Sequence, residues 1–506
     1  MDGLPQVVES GQLPIVIPIR PYLRDHCFDG HAVLPAVEAM EALARAVRRF
    51  RPEADLALMS GVTFDKFLYL DPGAGHVSAL GEISVHANGD VAAVLTTKTR
   101  SKHAAMARIK HHAALRLPRR ADPPPELPLD IAAAPEGVGF AVDRGKIYPD
   151  LVAFGPSYRN VDGLHLTPQG AVAEIRIPEI EASIPAESNL LGSPFGLDAA
   201  FHVACAWGQR FAGTVAFPVA VDRRRIYAPI RPAETCFVHV LPVHADPARL
   251  VFDLRIYGRE GGLREACSGV RMRDVSGGRM RPPEWIRPPA PPAEAHRLAG
   301  MCRASAVIEL AALAPFADQT LSERERLRLA GMGSRRRKSY LAARLACKRV
   351  ARQLSGHDTR TAPGDITTVC PERPDRPCCP PTDGRSSFSC SVSHDERFAV
   401  AVAADRRVGV DVEKTSARLL KSRSLFMTAA EQALVREARL GEAEAGVRIW
   451  SIKEAVAKAL DIPLAAAWNR VGVYEIGALE SRFQIDGHGA HVAVHDSVER
   501  HVFTLV

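Results

Sequence analysis

The sequence predicts an α+β protein of two domains, and three observations lead to this prediction. The chain has 506 residues, which is too long for one compact core. Its first 285 residues are rich in segments that alternate apolar and polar side chains, the pattern of half-buried strands, whereas helical and strand patterns are mixed after residue 298. A proline-rich run from Arg281 to Pro292 lies between these parts, and such a run excludes helix and central strand. We therefore expect an N-terminal domain over residues 1–285, a linker over 286–298 and a C-terminal domain over 299–506.

The composition limits the classes of partner. The formal net charge is +7, which implies acidic partners. Nucleic acid is not expected, because the basic residues are mostly scattered, aromatic residues make up only 6% and no nucleic-acid-binding motif is found. Acidic proteins and small molecules that carry phosphate fit the charge equally well.

The N-terminal residues, the apolar runs and the cysteines predict a cytoplasmic protein that is not in a membrane. The first residues, MDGLPQVVES, lack the basic flank and apolar run of a signal peptide, and no window approaches the ~20 apolar residues of a membrane-spanning helix. The ten cysteines are sparse and most stand alone in apolar surroundings, as free thiols do in a reducing compartment. The one cluster lacks the paired spacing of a structural zinc site. Its members are Cys370, Cys378, Cys379 and Cys390.

The N-terminal domain is predicted to consist of strands and two helices. A helix is expected directly after Pro35, with apolar residues at three- and four-residue steps and with glutamates and arginines on the opposite face. A second helix is expected from Leu197 to Arg210. A proline-rich break from Ala121 to Pro128 divides the domain into two halves, about 1–120 and 129–285, which we interpret as two possible copies of one fold. The clearest strand patterns are His76–Ala87, Ala171–Ile180, Thr235–His244 and Leu250–Gly258.

The C-terminal domain is predicted to alternate helices and strands. A long helix is expected from Ser334 to Leu354, ended by Ser355 and Gly356. The other expected elements are strands at Phe398–Ala403 and Val408–Val412 and helices near Thr428–Arg439 and Ser451–Leu460.

Acidic side chains in the C-terminal domain suggest a site for a hard cation. Asp411 and Glu413 are two residues apart in a strand pattern, so their carboxylates point to the same face. Carboxylate oxygens with substrate phosphate and water are typical ligands of Mg²⁺. Glu454 and Lys458 are four apart on a predicted helix and are therefore neighbours. For Asp411 and Glu413 alone, the alternative is a solvated face of a strand. For Glu454 and Lys458 alone, the alternative is a surface ion pair.

The order of these residues resembles a known family. SVSH ending at His394, GVDVE ending at Glu413 and WSIKEAVAKA beginning at Trp450 resemble the three signature motifs of the 4′-phosphopantetheinyl transferases, the long pseudo-dimeric α+β type. The resemblance covers the C-terminal domain. It implies that phosphopantetheine is transferred from coenzyme A to a serine of an acyl carrier protein, which is the activity of a holo-acyl-carrier-protein synthase.

The resemblance also implies roles for individual residues. Asp411, Glu413 and Glu454 match the carboxylates that bind Mg²⁺, and Glu454 is the candidate base for the acceptor serine, directly or through water. Arg344, Lys348 and Arg352 form a basic stripe that suits phosphate or an acidic carrier helix, or alternatively a solvated face of the helix. Arg373-Pro374 and Arg376-Pro377 resemble an Arg-Pro loop of the family. The implied contacts of coenzyme A are Arg344, Lys348, Ser393, His394, Lys453 and Lys458.

A second set of residues suits the elimination of water from a β-hydroxyacyl thioester. His26 precedes the first predicted helix, and Asp198 begins the second. This elimination needs a base that removes the α-proton and an acid that protonates the departing hydroxyl, roles that a histidine and a carboxylate in an apolar pocket can fill. The N-terminus of the first helix could polarise the thioester carbonyl. For a histidine alone in this position, a structural role is the alternative.

The set resembles the dehydratase domains of polyketide and polyunsaturated fatty acid synthases, which are double hotdogs. The resemblance rests on HCFDGHAVLP, FGPSYR and GLDAAFH, and covers about residues 10–285. It implies that His26 is the catalytic base and Asp198 the catalytic acid. His202 takes the place of a more usual glutamine, and the spacing around Tyr148 is looser than in the family. The other pocket residues implied are Gly30 as a backbone donor, Pro35, Tyr148, Gly155 and His202.

Three hypotheses follow for the whole chain. In the first, it is a bifunctional protein of polyketide or fatty acid biosynthesis with both enzymes active. In the second, only the transferase is active and the hotdog part docks carrier proteins without catalysis. In the third, the chain is a scaffold with both sites lost. The domain order resembles the C-terminal end of enediyne-type iterative polyketide synthases, which implies acyl carrier proteins as partners.

Overall fold

The computed structural model describes residues 6–100, 107–119, 136–179, 189–287, 297–356, 361–370, 377–379 and 388–506. The chain divides into two compact units. Unit 1 contains the described residues within 1–127 and 140–288, and unit 2 those within 128–139 and 289–506. Most of the linker predicted over 286–298, the break at Ala121–Pro128 and the first residues of the Arg-Pro segment lie outside the described residues.

Unit 1 is built mainly from antiparallel strands. Its helices are α1 (Ala36–Phe50), the short α2 (Arg144–Lys146) and α3 (Pro194–Phe211). Its strands are β1 (Val7–Pro18), β2 (Cys27–Phe28), β3 (His31–Ala32), β4 (Leu58–Phe64), β5 (His76–His86), β6 (Val91–Arg100), β7 (Ala107–Leu117), β8 (Phe140–Asp143), β9 (Val161–Thr167), β10 (Gly170–Arg176), β11 (Phe217–Ile226), β12 (Thr235–Asp246), β13 (Arg249–Gly258) and β14 (Leu263–Arg273).

The main sheet of unit 1 repeats one arrangement twice. Its order is β1-β5-β6-β7-β4-β11-β14-β13-β12-β10-β9-β8, so β4 and β11, each the first long strand after a core helix, pair at its centre. From that centre the order is β4-β7-β6-β5 in one direction and β11-β14-β13-β12 in the other. The two halves therefore have the same topology, which confirms the double-hotdog fold class and the interpretation as two copies of one fold.

The two long helices of unit 1 lie in one continuous core. The apolar positions of α1 are buried as predicted, and Pro35 is its N-cap residue. The expectation that its glutamates face solvent is wrong for Glu38 and Glu41, which are both buried. Glu38 accepts a hydrogen bond from the Tyr22 hydroxyl at 2.7 Å, and Glu41 accepts two from backbone N–H groups at residues 190 and 191. These partners come from distant segments, so periodicity alone did not reveal them.

Unit 2 combines two sheets with seven helices among its described residues. Its helices are α4 (Arg297–Met301), α5 (Glu323–Ala330), α6 (Ser334–Leu354), α7 (Arg423–Phe426), α8 (Ala429–Glu437), α9 (Glu442–Leu460) and α10 (Leu464–Arg470). Its strands are β15 (Ala304–Glu309), β16 (Ser389–His394), β17 (Phe398–Ala404), β18 (Val410–Lys414), β19 (Val471–Ile476), β20 (Glu480–Ile485), β21 (His488–Val498) and β22 (His501–Leu505).

Each sheet of unit 2 carries one long helix. The sheet β15-β17-β16 packs on α6, and the sheet β18-β22-β21-β20-β19 packs on α9. A third apolar cluster joins the sheets through β17, β18 and β22. Two helix-on-sheet halves around a shared apolar seam agree with the predicted pseudo-dimeric α+β class. The seam brings β16 and β18 together, and both carry residues of the carboxylate site.

The predicted elements of unit 2 are confirmed with shifted ends. The helix predicted at Ser334–Leu354 has exactly these bounds, and Thr428 caps α8 through a capping box with Glu431. The helix predicted from Ser451 begins earlier, at Glu442, because Gly441 with φ 81° sets its start. Five of its nine extra residues are buried, from Ala445 to Ile449, so the polar-apolar alternation that marks a helix on the surface is weak there.

Among the helices that the structure describes, none combines the length and the apolar character needed to cross a bilayer.

Candidate active sites

Unit 1 encloses a cavity of about 590 Å³ that is lined mainly by apolar side chains. Both long helices reach it, α1 through Ala36 and Ala39 of its first turns and α3 through Asp198 and His202. Because peptide dipoles align along a helix, the N-terminus of α1 presents partial positive charge towards this space. The apolar part of the lining includes Phe64, Phe67, Leu68, Phe154, Phe201, Phe217 and Met272.

The structure brings His26 and Asp198 together in this cavity. His26 Nε2 lies 3.6 Å from Asp198 Oδ1, although the two residues are far apart in sequence and belong to different halves of the unit. The His26 ring packs against Phe154, with centroids 4.2 Å apart, and against Tyr158 at 5.0 Å. His26 Nδ1 is buried without a hydrogen-bond partner among the described residues. The imidazole is therefore held by aromatic packing and exposes its Nε2 edge to Asp198.

Asp198 is also in contact with His202 on the same helix. The separation of Asp198 Oδ2 and His202 Nε2 is 3.0 Å, as expected for positions four apart. Neither atom forms an aligned hydrogen bond with the other or with any other described residue, so the two are in close polar contact only. Burial alone would raise the pKa of Asp198, but its interactions with His202, followed by those with His26, hold this pKa below its ordinary value.

Tyr148 approaches the site from behind His202. Its hydroxyl lies 3.0 Å from His202 Nδ1 and accepts a hydrogen bond from the backbone N–H of Val161 at 3.3 Å. Burial raises the pKa of this phenol well above its usual range. Tyr148 is not among the residues that line the cavity, so its contact with the site runs through His202.

The other expected pocket residues shape the backbone around His26. Gly30, at φ +77°, follows Asp29 at φ 51° in the tight turn between β2 and β3, where glycine is strongly favoured. Gly155 donates its N–H to the carbonyl of Asp25, and a Cβ at Gly155 would lie 2.5 Å from that side chain. Neither glycine nor Pro35 lines the cavity. The structure thus gives no support to Gly30 as a donor that faces substrate.

Polar residues near this cavity were not singled out from the sequence. Lys66, Lys110 and His112 line it, and His112 bonds the hydroxyl of Thr97 and the carbonyl of Lys66. They lie on or next to strands. In an alternating strand pattern, a charged residue that faces a cavity cannot be distinguished from one that faces solvent.

In unit 2 the structure brings three carboxylates together. The ligand oxygens of Asp411, Glu413 and Glu454 all lie within 4.8 Å of one another. Asp411 and Glu413 share one face of β18, and Glu454 comes from α9, which packs on that strand. Among the described residues, this is the one group of histidine, cysteine and acidic side chains close enough to hold a metal ion.

Asp411 is the best-fixed member of the group. It is 1% exposed and accepts hydrogen bonds from Ser393 at 2.8 Å, Ser451 at 2.7 Å and Lys458 at 2.9 Å. Lys458 also lies 3.2 Å from Glu454. Ser451 lies in the motif that begins at Trp450, but no role was predicted for it. The carboxylates are thus pre-positioned by hydrogen bonds, and the alternative of a solvated strand face is wrong for Asp411.

The electrostatics of the group fit a divalent cation. Burial and the negative charges of Asp411 and Glu454 raise the pKa of Glu413 to about 7. Burial and Asp411 also raise the pKa of Glu454. Close carboxylates repel one another, and a cation between them would remove that repulsion. Three hard oxygen donors suit Mg²⁺ better than a softer metal. The Trp450 indole N–H, 3.2 Å from a Glu413 oxygen, orients this side chain.

A basic cavity of about 540 Å³ lies next to the carboxylates. It includes Glu454 and Lys458 from α9, Ser393 and His394 from β16 and Arg344 from α6. Burial and the charge of Lys458 lower the pKa of His394. The cavity is also lined by four residues that were not predicted from the sequence, Arg328, Met332, Arg336 and Tyr340. The run of four basic residues at 335–338, at the start of the predicted helix, was the available signal for Arg336.

The basic stripe of α6 is not a solvated face. Arg344, Lys348 and Arg352 are all buried, so this alternative is wrong. Only Arg344 lines the basic cavity, where it also donates to the carbonyl of Thr368 at 2.8 Å. Lys348 forms an ion pair with Glu325 at 2.8 Å, and neither side chain has any exposed area. Its position supports a structural role instead of contact with a ligand.

Lys453 is likewise engaged inside the protein. Its Nζ donates to Glu431 at 2.9 Å and to the carbonyl of Phe426 at 2.6 Å, and the side chain is fully buried. It is not among the residues that line the basic cavity. Sequence proximity to Glu454 suggested a shared role, but adjacent residues on a helix point in different directions.

All ten cysteines are free thiols. In unit 2 the thiol of Cys379 forms hydrogen bonds with those of Cys347 and Cys390. The zinc site considered for the cysteine cluster does not appear among the described residues, where three thiols do not come close enough together to hold an ion.

Family models match two regions of the chain. Residues 127–282 match the model of the polyketide synthase dehydratase N-terminal domain. Residues 407–506 match the model of the 4′-phosphopantetheinyl transferase superfamily. Among curated proteins, no sequence matches this chain significantly.

Solved structures similar to this chain include several dehydratase domains. The dehydratase domain of a mycocerosic acid synthase-like polyketide synthase is 20% identical, with a TM-score of 0.44, and the match covers 54% of this chain and 94% of that one. A trans-AT polyketide synthase dehydratase domain from Brevibacillus brevis is 19% identical with a TM-score of 0.44, covering 53% and 95%. The dehydratase domain from the CurF module of curacin polyketide synthase is 15% identical with a TM-score of 0.44, covering 54% and 95%.

The resemblances expected from the sequence motifs are confirmed: a polyketide synthase dehydratase domain, matched over residues 127–282, is followed by a domain of the 4′-phosphopantetheinyl transferase superfamily, matched over residues 407–506.

Proposed function

We propose that the chain is a bifunctional enzyme of polyketide or fatty acid biosynthesis. Unit 2 transfers 4′-phosphopantetheine from coenzyme A to a serine of an acyl carrier protein, and unit 1 dehydrates a β-hydroxyacyl group carried on such an arm. The observation that carries the proposal is the group of Asp411, Glu413 and Glu454 beside a basic cavity. Both reactions act on carrier proteins, so one partner class serves both units.

The transferase assignment is supported by charge complementarity. A diphosphate ester needs positive charge on its oxygens, and the cavity supplies Arg328, Arg336, Arg344 and Lys458. Mg²⁺ held by the three carboxylates would neutralise the negative charge that develops on the leaving phosphate. Lys458, held by Asp411 and Glu454, keeps a fixed positive charge at the junction of the carboxylates and the basic cavity.

Glu454 is the candidate base for the acceptor serine. It is the one carboxylate of the group that also lines the basic cavity, and its carboxylate is only partly exposed. Burial and Asp411 raise its pKa, which makes it a better proton acceptor than an ordinary surface glutamate. The serine oxygen would attack the β-phosphorus of coenzyme A, the phosphoanhydride bond would break, and adenosine 3′,5′-bisphosphate would leave.

Mass spectrometry of a carrier protein tests the transferase. The protein is incubated with coenzyme A, Mg²⁺ and candidate apo carrier proteins, and one added phosphopantetheine arm per carrier is expected. Asp411→Ala should abolish this addition in a protein that circular dichroism shows to be folded. The matched control is Asp486→Ala, an exposed aspartate of the same unit that pairs with Arg470. Full modification by the Asp411→Ala variant would contradict the assignment.

The dehydratase assignment is supported by the contact between His26 and Asp198. One histidine and one carboxylate face each other in an apolar cavity with room for a short acyl chain and the end of a pantetheine arm. His26 would take the α-proton, the double bond would form between the α- and β-carbons, and the hydroxyl would leave as water with the proton of Asp198. The N-terminus of α1 would stabilise negative charge on the thioester oxygen.

A non-catalytic docking module is the second candidate for unit 1. It predicts that the cavity is closed or that the two side chains lie apart, whereas the cavity is present and the contact is 3.6 Å. The experiment measures formation of the α,β-unsaturated product from a β-hydroxyacyl carrier protein. His26→Ala should abolish it and leave pantetheine transfer intact, with His31→Ala, an exposed histidine nearby, as control. Binding of the carrier without turnover by the wild type would favour the docking module.

Domain bounds and location are part of the proposal. We take 1–285 as the dehydratase, with halves of about 1–120 and 129–285, 286–298 as the linker and 299–506 as the transferase. The division into two compact units supports this proposal, apart from the described residues 136–139, which group with unit 2. The ten free thiols support a cytoplasmic location, because such an environment keeps cysteines reduced.

A further inference from the structure

The turn that follows β16 in unit 2 is organised by one aspartate. Asp395 comes directly after His394, and its Oδ1 accepts hydrogen bonds from the backbone N–H groups at residues 397 and 398, at 2.7 Å and 2.8 Å. Its own N–H donates to the carbonyl of Phe398 at 2.9 Å. These bonds set the path of the chain from β16 into β17. They therefore also fix the end of β16, where Ser393 and His394 line the basic cavity.

The second oxygen of Asp395 is bound to a histidine of the other sheet. His501, on β22, places Nδ1 2.5 Å from Asp395 Oδ2, and the two side chains are only 5% and 7% exposed. Burial alone would raise the pKa of Asp395, but the hydrogen bonds from His501 and from the two backbone N–H groups hold it below its ordinary value. Because a carboxylate has no hydrogen to donate, His501 Nδ1 is the donor. The His501 ring also packs edge-on against Phe398, with centroids 5.0 Å apart.

His501 lies close to the strand that carries the carboxylates. β22 pairs with β18 in antiparallel register, and His501 is the neighbour of the residue that pairs with Glu413. β18 supplies two of the three carboxylates of the proposed metal site. The bond from His501 to Asp395 therefore links the sheet of the carboxylates to the strand that ends in Ser393 and His394.

A second link between this turn and the second sheet is exposed. The Arg397 guanidinium binds Glu499, whose side chain is 63% exposed, and it also binds Glu309 of β15 at 2.7 Å. Water and salt screen an exposed ion pair, so the contact with Glu499 contributes little to the position of the turn. The buried bond between Asp395 and His501 is the stronger of the two links.

We propose that His501 is a positioning residue of the transferase: through Asp395 it holds the end of β16 against the second sheet, so that the predicted coenzyme A contacts there face the diphosphate. This inference rests on the proposed transferase activity of unit 2. Ser393 is also bound directly to the carboxylate group, since it donates to Asp411 at 2.8 Å. His394 directly precedes the turn, so we expect its placement to depend most on His501.

A double variant removes this link and little else. In Asp395→Asn/His501→Phe, the asparagine keeps an oxygen for the two backbone N–H groups and carries no charge that would be left buried without a partner. The phenylalanine keeps an aromatic ring against Phe398. We expect the KM for coenzyme A to rise about tenfold, because the contacts at the end of β16 are no longer held in place, and kcat to change less than about threefold. Circular dichroism checks the fold.

The single variant Asp395→Asn weakens the link without removing it. Both side chains remain, but a charge-assisted hydrogen bond is roughly twice as strong as a neutral one. The KM for coenzyme A should therefore lie between the values of the wild type and the double variant. This variant carries the test if the double variant does not fold, and an unchanged KM would then overturn the inference.

A conservative variant separates positioning from packing. In His501→Asn the amide nitrogen is as many bonds from the backbone as Nδ1 of histidine, so it can donate to Asp395, whereas the ring against Phe398 is lost. We expect a KM for coenzyme A within about twofold of the wild type. His488→Asn, at an exposed histidine of the same sheet, is the matched control and should have no effect. A loss in His501→Asn as large as in the double variant would overturn the inference, because packing would then be the cause.

Hydrogen–deuterium exchange measures the positioning independently of activity. In the full-length protein, amide exchange over residues 389–398 should be about tenfold faster in the double variant than in the wild type, whereas exchange in β5 of unit 1 should not change. Equal exchange over 389–398 would overturn the inference whatever the kinetics. The expected exchange difference with a wild type that transfers no phosphopantetheine would instead overturn the proposed transferase activity and leave the positioning of β16 standing.

Discussion

Replacement of Lys348 by methionine should unfold unit 2 before it affects any ligand. Lys348 and Glu325 form a fully buried ion pair at 2.8 Å, and the lysine also donates to the backbone carbonyls of Pro363 and Ile366. Removing one partner of such a pair leaves a buried charge without compensation, which costs about 3–5 kcal/mol. That is a large part of the ~5–15 kcal/mol by which a domain is stable.

The pH dependence of this destabilisation has a definite sign. In the wild type, burial tends to raise the pKa of Glu325, but the charge and hydrogen bond of Lys348, together with the hydrogen bonds of Thr368 and Ser322, outweigh it, so the pKa is lowered. A lowered pKa gives stability that is present above the ordinary pKa of glutamate and is lost as the pH falls through the folded-state value. Without Lys348, burial would raise the pKa of Glu325. The variant should therefore gain stability relative to the wild type as the pH falls and this carboxyl becomes protonated.

Chemical unfolding at several pH values, followed by circular dichroism, measures this effect. Lys338→Met is the matched control, because Lys338 is an exposed lysine on the same helix and should change stability by less than about 0.5 kcal/mol. A Lys348→Met variant with wild-type stability and a raised KM for coenzyme A would refute the structural role. That result would instead favour a contact between Lys348 and coenzyme A, as the family resemblance implied.

Three further predictions concern unit 2. Arg336→Ala should raise the KM for coenzyme A about tenfold through loss of a charge-assisted hydrogen bond, measured by transfer kinetics, whereas the exposed Arg335→Ala, which does not line the basic cavity, should not. Ser451→Ala removes one of the hydrogen bonds that hold Asp411 and should raise the Mg²⁺ concentration needed for half-maximal transfer, about tenfold or more. Burial, followed by Arg448, lowers the pKa of His495 to about 3, so stability should fall by up to ~1.4 kcal/mol per pH unit below pH ~6.5, and His495→Gln should flatten this slope in acid unfolding.

Local patterns were sufficient for most of the fold. The alternation in His76–Ala87 and Thr235–His244 identified β5 and β12, and the three- and four-residue spacing after Pro35 identified α1. Such patterns show which face of a helix or strand is buried, and burial of that apolar face is what stabilises the element. They do not report which distant backbone groups a buried charge will meet, so the burial of Glu38 was missed.

The position of a site residue could be predicted where local geometry alone determines it. It could not be predicted where it depends on partners from distant segments. Asp411 and Glu413 alternate on one strand, so their common face followed from geometry alone. Lys348 and Lys453 looked equivalent to Lys458 because the family resemblance implied a contact with coenzyme A for all three. Their partners, Glu325 and Glu431, come from helices α5 and α8, and this pairing depends on the tertiary packing of each helix. The contact of Tyr148 with His202 joins segments 54 residues apart for the same reason.

The proposed transferase activity of unit 2 depends on one divalent cation bound at the three carboxylates. Titration of the full-length protein with Mn²⁺, followed by electron paramagnetic resonance, measures this most directly, with Mg²⁺ added afterwards as competitor. The prediction is one site per chain that Mg²⁺ displaces and that Glu413→Gln weakens at least tenfold, while the exposed Glu437→Gln leaves it unchanged. Equal binding by wild type and Glu413→Gln, or no saturable site in the wild type, would contradict it.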